Sequence, residues 1–380
     1  MPEASRARTR RTPAPPAVAP SSTARPSTAD LTVPAIPPPS WPGGDVPVTG
    51  GTVFVRTTPF TGPADAPRER ALYVHGLGGA STNWTDLAGL LAVRCEGWAL
   101  DLPGFGRSQP PSGGYSVRGH VRAVVDVLEH VVAQPGEAAG RPVHLLGNSL
   151  GGLVSLVVAA RRPDLVATLT LVSPAMPVYR VPAAFSRALL LLLLPGVPSL
   201  AERRLAGVTP EQSVRGMLAM CFGEPARVPR ERLEAAVEEA RERTSQAWAS
   251  RSLTRSMRGL ITSYLRVGRA NAWRMARSLP MPTLVVWGDR DRLVDPRLAP
   301  RLAAAVPDAR LLVLETVGHV AMLEAPEETA RAVLGLLEDT AGQDGTGQDG
   351  TVQVGAVPAR AGRPRPRRAL SRTVPDAPVP

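Results

Sequence analysis

The sequence predicts an α/β fold: a mostly parallel central sheet flanked by helices, with a helical cap inserted before the last strands. Three observations carry that expectation. Between Val48 and Asp339, short β-branched runs alternate with helical patterns, as strand–crossover–strand units require. Several runs are continuously apolar, such as Thr283-Leu284-Val285-Val286-Trp287, which suits strands buried on both faces. From Ala175 to Leu279 the alternation stops and only helical patterns appear.

Taken in order, the expected strands are Thr52–Arg56, Ala71–His75, Gly97–Asp101, Pro142–Leu146, Ala167–Val172, Thr283–Trp287 and Arg310–Leu314. The expected helices between them are Val117–Val132, Leu150–Arg161, Pro296–Ala305 and Glu327–Leu337. Glu327 and Glu328 suit the start of the last one, where the helix dipole favours negative charge. Residues 175–280 form the cap, with helical segments at Arg230–Trp248 and Arg255–Arg266. An insertion at that point of the chain would lie over the active-site edge of the sheet. Leu189 to Leu194 is a run of six leucines within it. Such a run could line an acyl pocket, rest on a lipid surface, or simply pack on the core.

Composition sets the rest of the frame. Of 380 residues, 43% are hydrophobic and 20% charged, as in a soluble globular protein. Residues 1–47 and 341–380 are rich in Pro, Arg, Gly, Ser and Thr and too poor in apolar groups to offset the entropy of folding. Both are expected to be disordered tails around a domain spanning 48–340. All 44 basic residues are arginine, and the two tails hold +5 of the net charge of +11. The lid or the basic tails could make a weak membrane-surface contact, but a solvated linker is the favoured reading of the tails, and no nucleic-acid-binding module is recognisable. Cys95 and Cys221 are too few and too far apart for a disulfide scaffold or a metal site. Arg10-Arg11 is followed by Pro13, Pro15 and Pro16 and by no apolar stretch. Ala188 to Leu194 falls far short of the roughly 20 residues needed to span a bilayer. The expected location is cytoplasmic.

The chemistry is concentrated in four loops. Gly147-Asn148-Ser149-Leu150-Gly151 follows the strand at 142–146 and opens a helix. A strand turning sharply into a helix exposes the serine hydroxyl at the helix N-terminus, and the flanking glycines let backbone pass without a Cβ clash. A serine needs a base to take its proton. His319, in Val317-Gly318-His319-Val320, lies in the loop between the last strand and the last helix and is the expected base. His75 is expected to shape the glycine-rich loop His75-Gly76-Leu77-Gly78-Gly79, while His120, His130 and His144 read as structural or surface residues. The base needs an acid to fix its tautomer. In Gly288-Asp289-Arg290-Asp291-Arg292-Leu293-Val294-Asp295-Pro296, Asp291 is the expected acid. Asp289 is its competitor, and Asp295 caps the helix that starts near Pro296. In the chain the three come in the order serine, acid, histidine. The backbone N–H groups of Leu77 and Leu150 are the expected oxyanion donors.

These motifs resemble the α/β-hydrolase fold family across residues 48–339. They comprise the His75-Gly76 loop, Asp101-Leu102-Pro103-Gly104-Phe105-Gly106-Arg107-Ser108, the elbow at Ser149, and the Gly288/Asp291 and Gly318/His319 loops. The resemblance implies a serine hydrolase, of carboxylesterase or lipase type, that cleaves a small ester or thioester with neither cofactor nor metal. Family members with an aspartate nucleophile, such as epoxide hydrolases, are disfavoured by Ser149. Two alternatives remain. The Gly-Asn-Ser-Leu-Gly-Gly elbow with Asn83-Trp84 is similar to carbon–carbon bond hydrolases of ring-fission products, although Val320 stands where those enzymes usually carry tryptophan. The other is a ligand-binding protein of the same fold without turnover.

Overall fold

All seven expected strands lie in one nine-stranded sheet of the computed structural model, which describes residues 22–31, 39–178, 194 and 196–345. In chain order the strands are β1 (Ser22–Thr23), β2 (Gly43–Val48), β3 (Gly51–Thr58), β4 (Glu69–Val74) and β5 (Cys95–Leu100). They continue with β6 (Val143–Asn148), β7 (Val166–Val172), β8 (Thr283–Gly288) and β9 (Ala309–Leu314). Across the sheet they run β1-β9-β8-β7-β6-β4-β5-β3-β2. Strand β3 is antiparallel to both neighbours, and every other pairing is parallel. The chain goes outward from β4 to β5, then returns to place β6 on the other side of β4. At that reversal the loops after β4 and β6 lie side by side, which is where open parallel sheets form their ligand crevice.

Helices α1 (Thr85–Leu91), α2 (Val117–Ala133) and α3 (Leu150–Arg161) follow β4, β5 and β6. Between β7 and β8 come α4 (Val197–Ala206), α5 (Pro210–Cys221), α6 (Arg230–Ser245), α7 (Ala249–Tyr264) and α8 (Ala272–Ala276), which make up the described part of the cap. Helices α9 (Leu298–Ala305), α10 (Ala321–Glu324) and α11 (Pro326–Gly345) close the chain. The leucine run at 189–193 lies outside the described residues. Helix α11 runs on to Gly345, into the tail expected to be disordered from residue 341. Among the described residues no helix is long and apolar enough to cross a membrane.

Strand alternation divides the core in two. Leu72, Val74, Leu145, Leu169 and Val285 pack with α2 and α3 on one face of the sheet. Their neighbours Ala71, Tyr73, Leu146, Leu284 and Val286 pack with α1, α10 and α11 on the other. A strand buried on both faces has no polar positions to spare, so these segments read as continuous apolar runs.

The expectation of a disordered tail over residues 1–47 is corrected in part. Residues 43–47 belong to β2, and residues 22–31 run from β9 along α11. Ser27 N donates to Arg331 O at 2.8 Å, the Arg331 guanidinium donates to Ala29 O at 3.0 Å, and Leu31 is buried. Gly335 of α11 permits this, because a Cβ there would collide with Arg25 O. The segment is held mainly by backbone hydrogen bonds and arginine contacts, which an apolar-content argument does not register. Residues 1–21, 32–38 and 346–380 lie outside the described residues.

At the sheet edge where β4, β5 and β6 begin, Glu69 binds Arg94 through both oxygens, at 2.8 and 3.1 Å. His144 Nε2 lies 3.4 Å away, and its Nδ1 meets Thr168 Oγ1 at 2.9 Å. Burial alone would raise the Glu69 carboxyl, but the bonds from His144 and Arg94 outweigh it and hold it down to about 2. A carboxyl depressed in the folded state stabilises it above the unfolded value of 4.5 and loses that contribution as pH falls toward 2. Glu69→Gln is therefore expected to destabilise the protein by on the order of 3 kcal/mol at pH 7. The difference from wild type should shrink steadily below pH 4.5 in thermal or urea unfolding. An equal difference at pH 7 and pH 3 would contradict this account.

Candidate active site

Ser149 lies between β6 and α3 with φ 53° and ψ −117°, a conformation that strains any residue with a Cβ. The surroundings impose it. Ser149 N donates to Val172 O at 3.1 Å, while Ser149 O accepts from Leu153 N at 3.0 Å and Ala175 N at 2.9 Å. Both flanking glycines are sterically required. A Cβ on Gly147 would lie 2.5 Å from Ser155 Oγ, and one on Gly151 would strike Val74 O and His75 O. Helix α3 thus approaches β4 closely enough to bring the two loops together. A Cβ on Gly76 would come within 3.1 Å of Ser149 Cβ.

His319 and Asp291 form a buried pair, with His319 Nδ1 2.8 Å from Asp291 Oδ2. The other oxygen, Oδ1, accepts from the amides of Leu293 and Val294, both at 2.9 Å. An acceptor-only carboxylate assigns the imidazole proton to Nδ1, which leaves Nε2 with its lone pair. Trp287 Nε1 donates to Val294 O at 3.2 Å and braces the same loop. Asp289 is exposed. Asp295 accepts from Arg297 N at 3.0 Å just before α9, which starts at Leu298, two residues later than expected.

The histidine loop is fastened from three sides. Asn148, the residue before Ser149, donates from Nδ2 to His319 O at 3.0 Å and to Val172 O at 3.1 Å. His319 N donates to Cys221 O at the end of α5, at 2.6 Å. Glu324 accepts from Gly223 N at 2.7 Å and Gly318 N at 2.8 Å, and so clamps the cap to this loop. Burial raises its carboxyl above the ordinary range, even though those amides pull it down.

The loop after β4 is equally braced. His75 Nε2 accepts from Leu102 N at 2.9 Å, so Nδ1 carries the proton toward Gly76 O at 2.6 Å. Burial lowers its pKa, and burial together with His75 lowers His120 to about 4, so both rings stay neutral near pH 7. Asp101 accepts from Ser81 N at 2.6 Å and Arg107 N at 2.8 Å. From the cap helix α6, Arg243 donates to Gly78 O at 2.9 Å, and Glu239 bonds the hydroxyl of Thr82. Among the described residues the Leu77 amide has no hydrogen-bond partner. Leu150, as the first residue of α3, has no intrahelical acceptor for its own.

Asn148 thus ties the turn at Ser149 to the loop of the His319–Asp291 pair, and Gly76 brings the loop that carries Leu77 against Ser149. Sequence reasoning missed Asn148, Glu324, Arg243 and Glu239. A polar residue at a buried strand end was a signal for Asn148, and so was a lone carboxylate after Val320-Ala321-Met322-Leu323 for Glu324. The two α6 residues carried none. Elsewhere, Glu69, Cys95 and His144 place one donor atom each within 4.8 Å of one another, but Arg94 already engages both Glu69 oxygens. Both cysteines are free; Cys95 is buried and Cys221 half-buried.

Comparison with known proteins agrees with this fold. The profile of the alpha/beta hydrolase fold matches residues 72–326. A monoacylglycerol lipase of Xenopus laevis is 24% identical over 281 residues, which cover 72% of this chain and 76% of the relative. Lipase 1 of Psychrobacter immobilis is 28% identical over 271 residues, 69% of this chain and 74% of the relative. Among solved structures, a bacterial membrane phospholipase A superposes with a TM-score of 0.62 at 26% identity, covering 80% of this chain and 87% of the other. A structure from Acinetobacter baumannii gives the same TM-score at 21% identity and shares the fold, over 80% of this chain and 93% of the other. With the family profile spanning most of the chain and the sheet order and loops in agreement, this protein belongs to the α/β-hydrolase fold family and is an enzyme of that family.

Proposed function

We propose that this enzyme hydrolyses small carboxylic esters or thioesters with an apolar acyl group, through an acyl-enzyme on Ser149. The observation that carries the reading is the buried His319–Asp291 hydrogen bond set beside the strained turn at Ser149. Ser149 Oγ attacks the carbonyl carbon while His319 Nε2 takes its proton, and Asp291 stabilises the imidazolium that forms. The amides of Leu77 and Leu150 receive the oxyanion, and losing one such donor typically costs about 3 kcal/mol of transition-state stabilisation. The imidazolium protonates the departing alkoxide or thiolate. The same histidine then activates water to release the acid and regenerate the serine.

Relatives with lipase names at 24% and 28% identity support an ester bond as the target and leave acyl length open. The carbon–carbon hydrolase reading rests on the elbow and Asn83-Trp84, and a meta-cleavage product hydrolase that superposes at 19% identity adds only a shared fold. A p-nitrophenyl ester series of increasing acyl length, run beside a matched thioester, is expected to show turnover that peaks at one chain length. A folded protein that turns over none of them would overturn the reading.

A further inference from the structure

Residues 243–288 contain eight arginines and not one aspartate or glutamate. Arg243 turns inward to the loop after β4, and the other seven are exposed. Arg251, Arg255 and Arg258 share the outer side of α7 at helical spacing, Arg266 and Arg269 lie in the loop that follows, and Arg274 and Arg277 sit on and just after α8. Among the described residues only Arg255 has an acidic partner, Glu202 at 3.4 Å. Arg161, at the end of α3, joins Arg269, Arg274 and Arg277 around an open cavity of about 870 Å³ floored by Met275. Like charges on one face repel within a Debye length of about 8 Å, and among the described residues no acidic side chain pairs with these four.

The loop between α7 and α8 adds a second feature. It carries Leu265 and Val267, 69% and 83% exposed, the two most exposed large hydrophobic residues described. An apolar tip ringed by unpaired arginines selects among partners. A nucleic acid would neutralise the charge but leave both side chains in water. Single-stranded nucleic-acid sites also offer aromatic platforms to stack on, whereas Trp273 is buried with Arg301 over its ring at 4.3 Å. A bilayer with anionic headgroups satisfies both features. The guanidiniums reach phosphate level while Leu265 and Val267 enter the acyl boundary.

We propose that the face formed by α7, the loop at 265–271 and α8 docks this protein on an anionic phospholipid surface. The opposite side of α7 lies against the loops of the candidate site: Ser252 Oγ meets Tyr115 Oη at 3.1 Å, and Leu253 lies 3.3 Å from where a Gly78 Cβ would be. Docking through the outer side thus brings the cap, rather than the helices α1 and α11 across the sheet, to the lipid. The proposal does not depend on the ester-hydrolase reading, and its test is a binding measurement.

The full chain is sedimented with phosphatidylcholine vesicles with and without 30% phosphatidylglycerol, at about 0.1 M and 0.5 M salt. Wild type is expected to bind only the anionic vesicles, and to be released by salt. Combining Arg266→Ser, Arg269→Ser, Arg274→Ser and Arg277→Ser should weaken binding at least a hundredfold. Melting temperature and p-nitrophenyl acetate turnover should stay at wild-type values. The added emission of Leu265→Trp should be quenched by brominated lipid. Any of four outcomes overturns the proposal: no wild-type binding, wild-type affinity in the quadruple variant, an unquenched tryptophan in vesicle-bound protein, or displacement from vesicles by RNA at lower concentration than by free phosphatidylglycerol. Loss of ester turnover with vesicle binding intact would strike the function reading and leave the docking face standing.

Discussion

Ser149→Ala is expected to lower ester turnover by about 10⁴-fold or more, because no other nucleophile can reach the carbonyl from the turn after β6. The same change should abolish covalent labelling by a fluorophosphonate probe, which the wild-type protein should take up. Stability should barely move. Alanine must adopt the same positive φ of 53°, and the backbone bonds to Val172, Leu153 and Ala175 are untouched. Ser149→Gly would differ in an informative way. It removes the Cβ that makes this conformation strained, so it should be as inactive as the alanine variant yet more stable by about 1 kcal/mol. An alanine variant that still labels and still turns over would place the nucleophile elsewhere.

Asp291→Asn is the second large effect, expected to cut kcat by about 10⁴-fold while preserving the fold. An asparagine oxygen can still accept from the Leu293 and Val294 amides, so the loop keeps its shape. Its nitrogen, however, would present a donor to His319 Nδ1. That favours the tautomer with the proton on Nε2, and the ring can then no longer take the serine proton. Asp289→Asn, on an exposed side chain one turn of loop earlier, is expected to stay within twofold of wild type. Steady-state kinetics on one ester decide between the two aspartates, and the reverse ranking would move the acid to Asp289.

What the sequence disclosed followed its physics. Central strands such as Thr283–Gly288 announce themselves because burial on both faces leaves only apolar residues. Ser149 was legible because strand, glycines and helix must coincide for such a turn to exist. His319 and Asp291 followed from chain order and from the loops that end their strands. The edges were not legible. Strand β2, Gly-Gly-Asp-Val-Pro-Val, buries only Val46 and is held by its ladder with β3, and β1 is two exposed residues. Contacts that depend on the cap's position were hidden for another reason. Arg243 and Gly78 are 165 residues apart, and no local pattern in α6 distinguishes that arginine from its exposed neighbours.

The clamp made by Glu324 bears on how freely such caps can be exchanged between enzymes. Its carboxylate holds Gly223 of the insertion and Gly318 of the core at once, and Cys221 O receives the amide of His319. The insertion therefore supplies part of the frame for the core's own histidine. A chimaera joined at the ends of β7 and β8 would import a foreign segment opposite Glu324 and leave a half-buried carboxylate and the His319 amide without their partners. Grafts that keep residues 221–223 with the host core, and exchange only what precedes or follows them, respect the seam along which this enzyme is stitched.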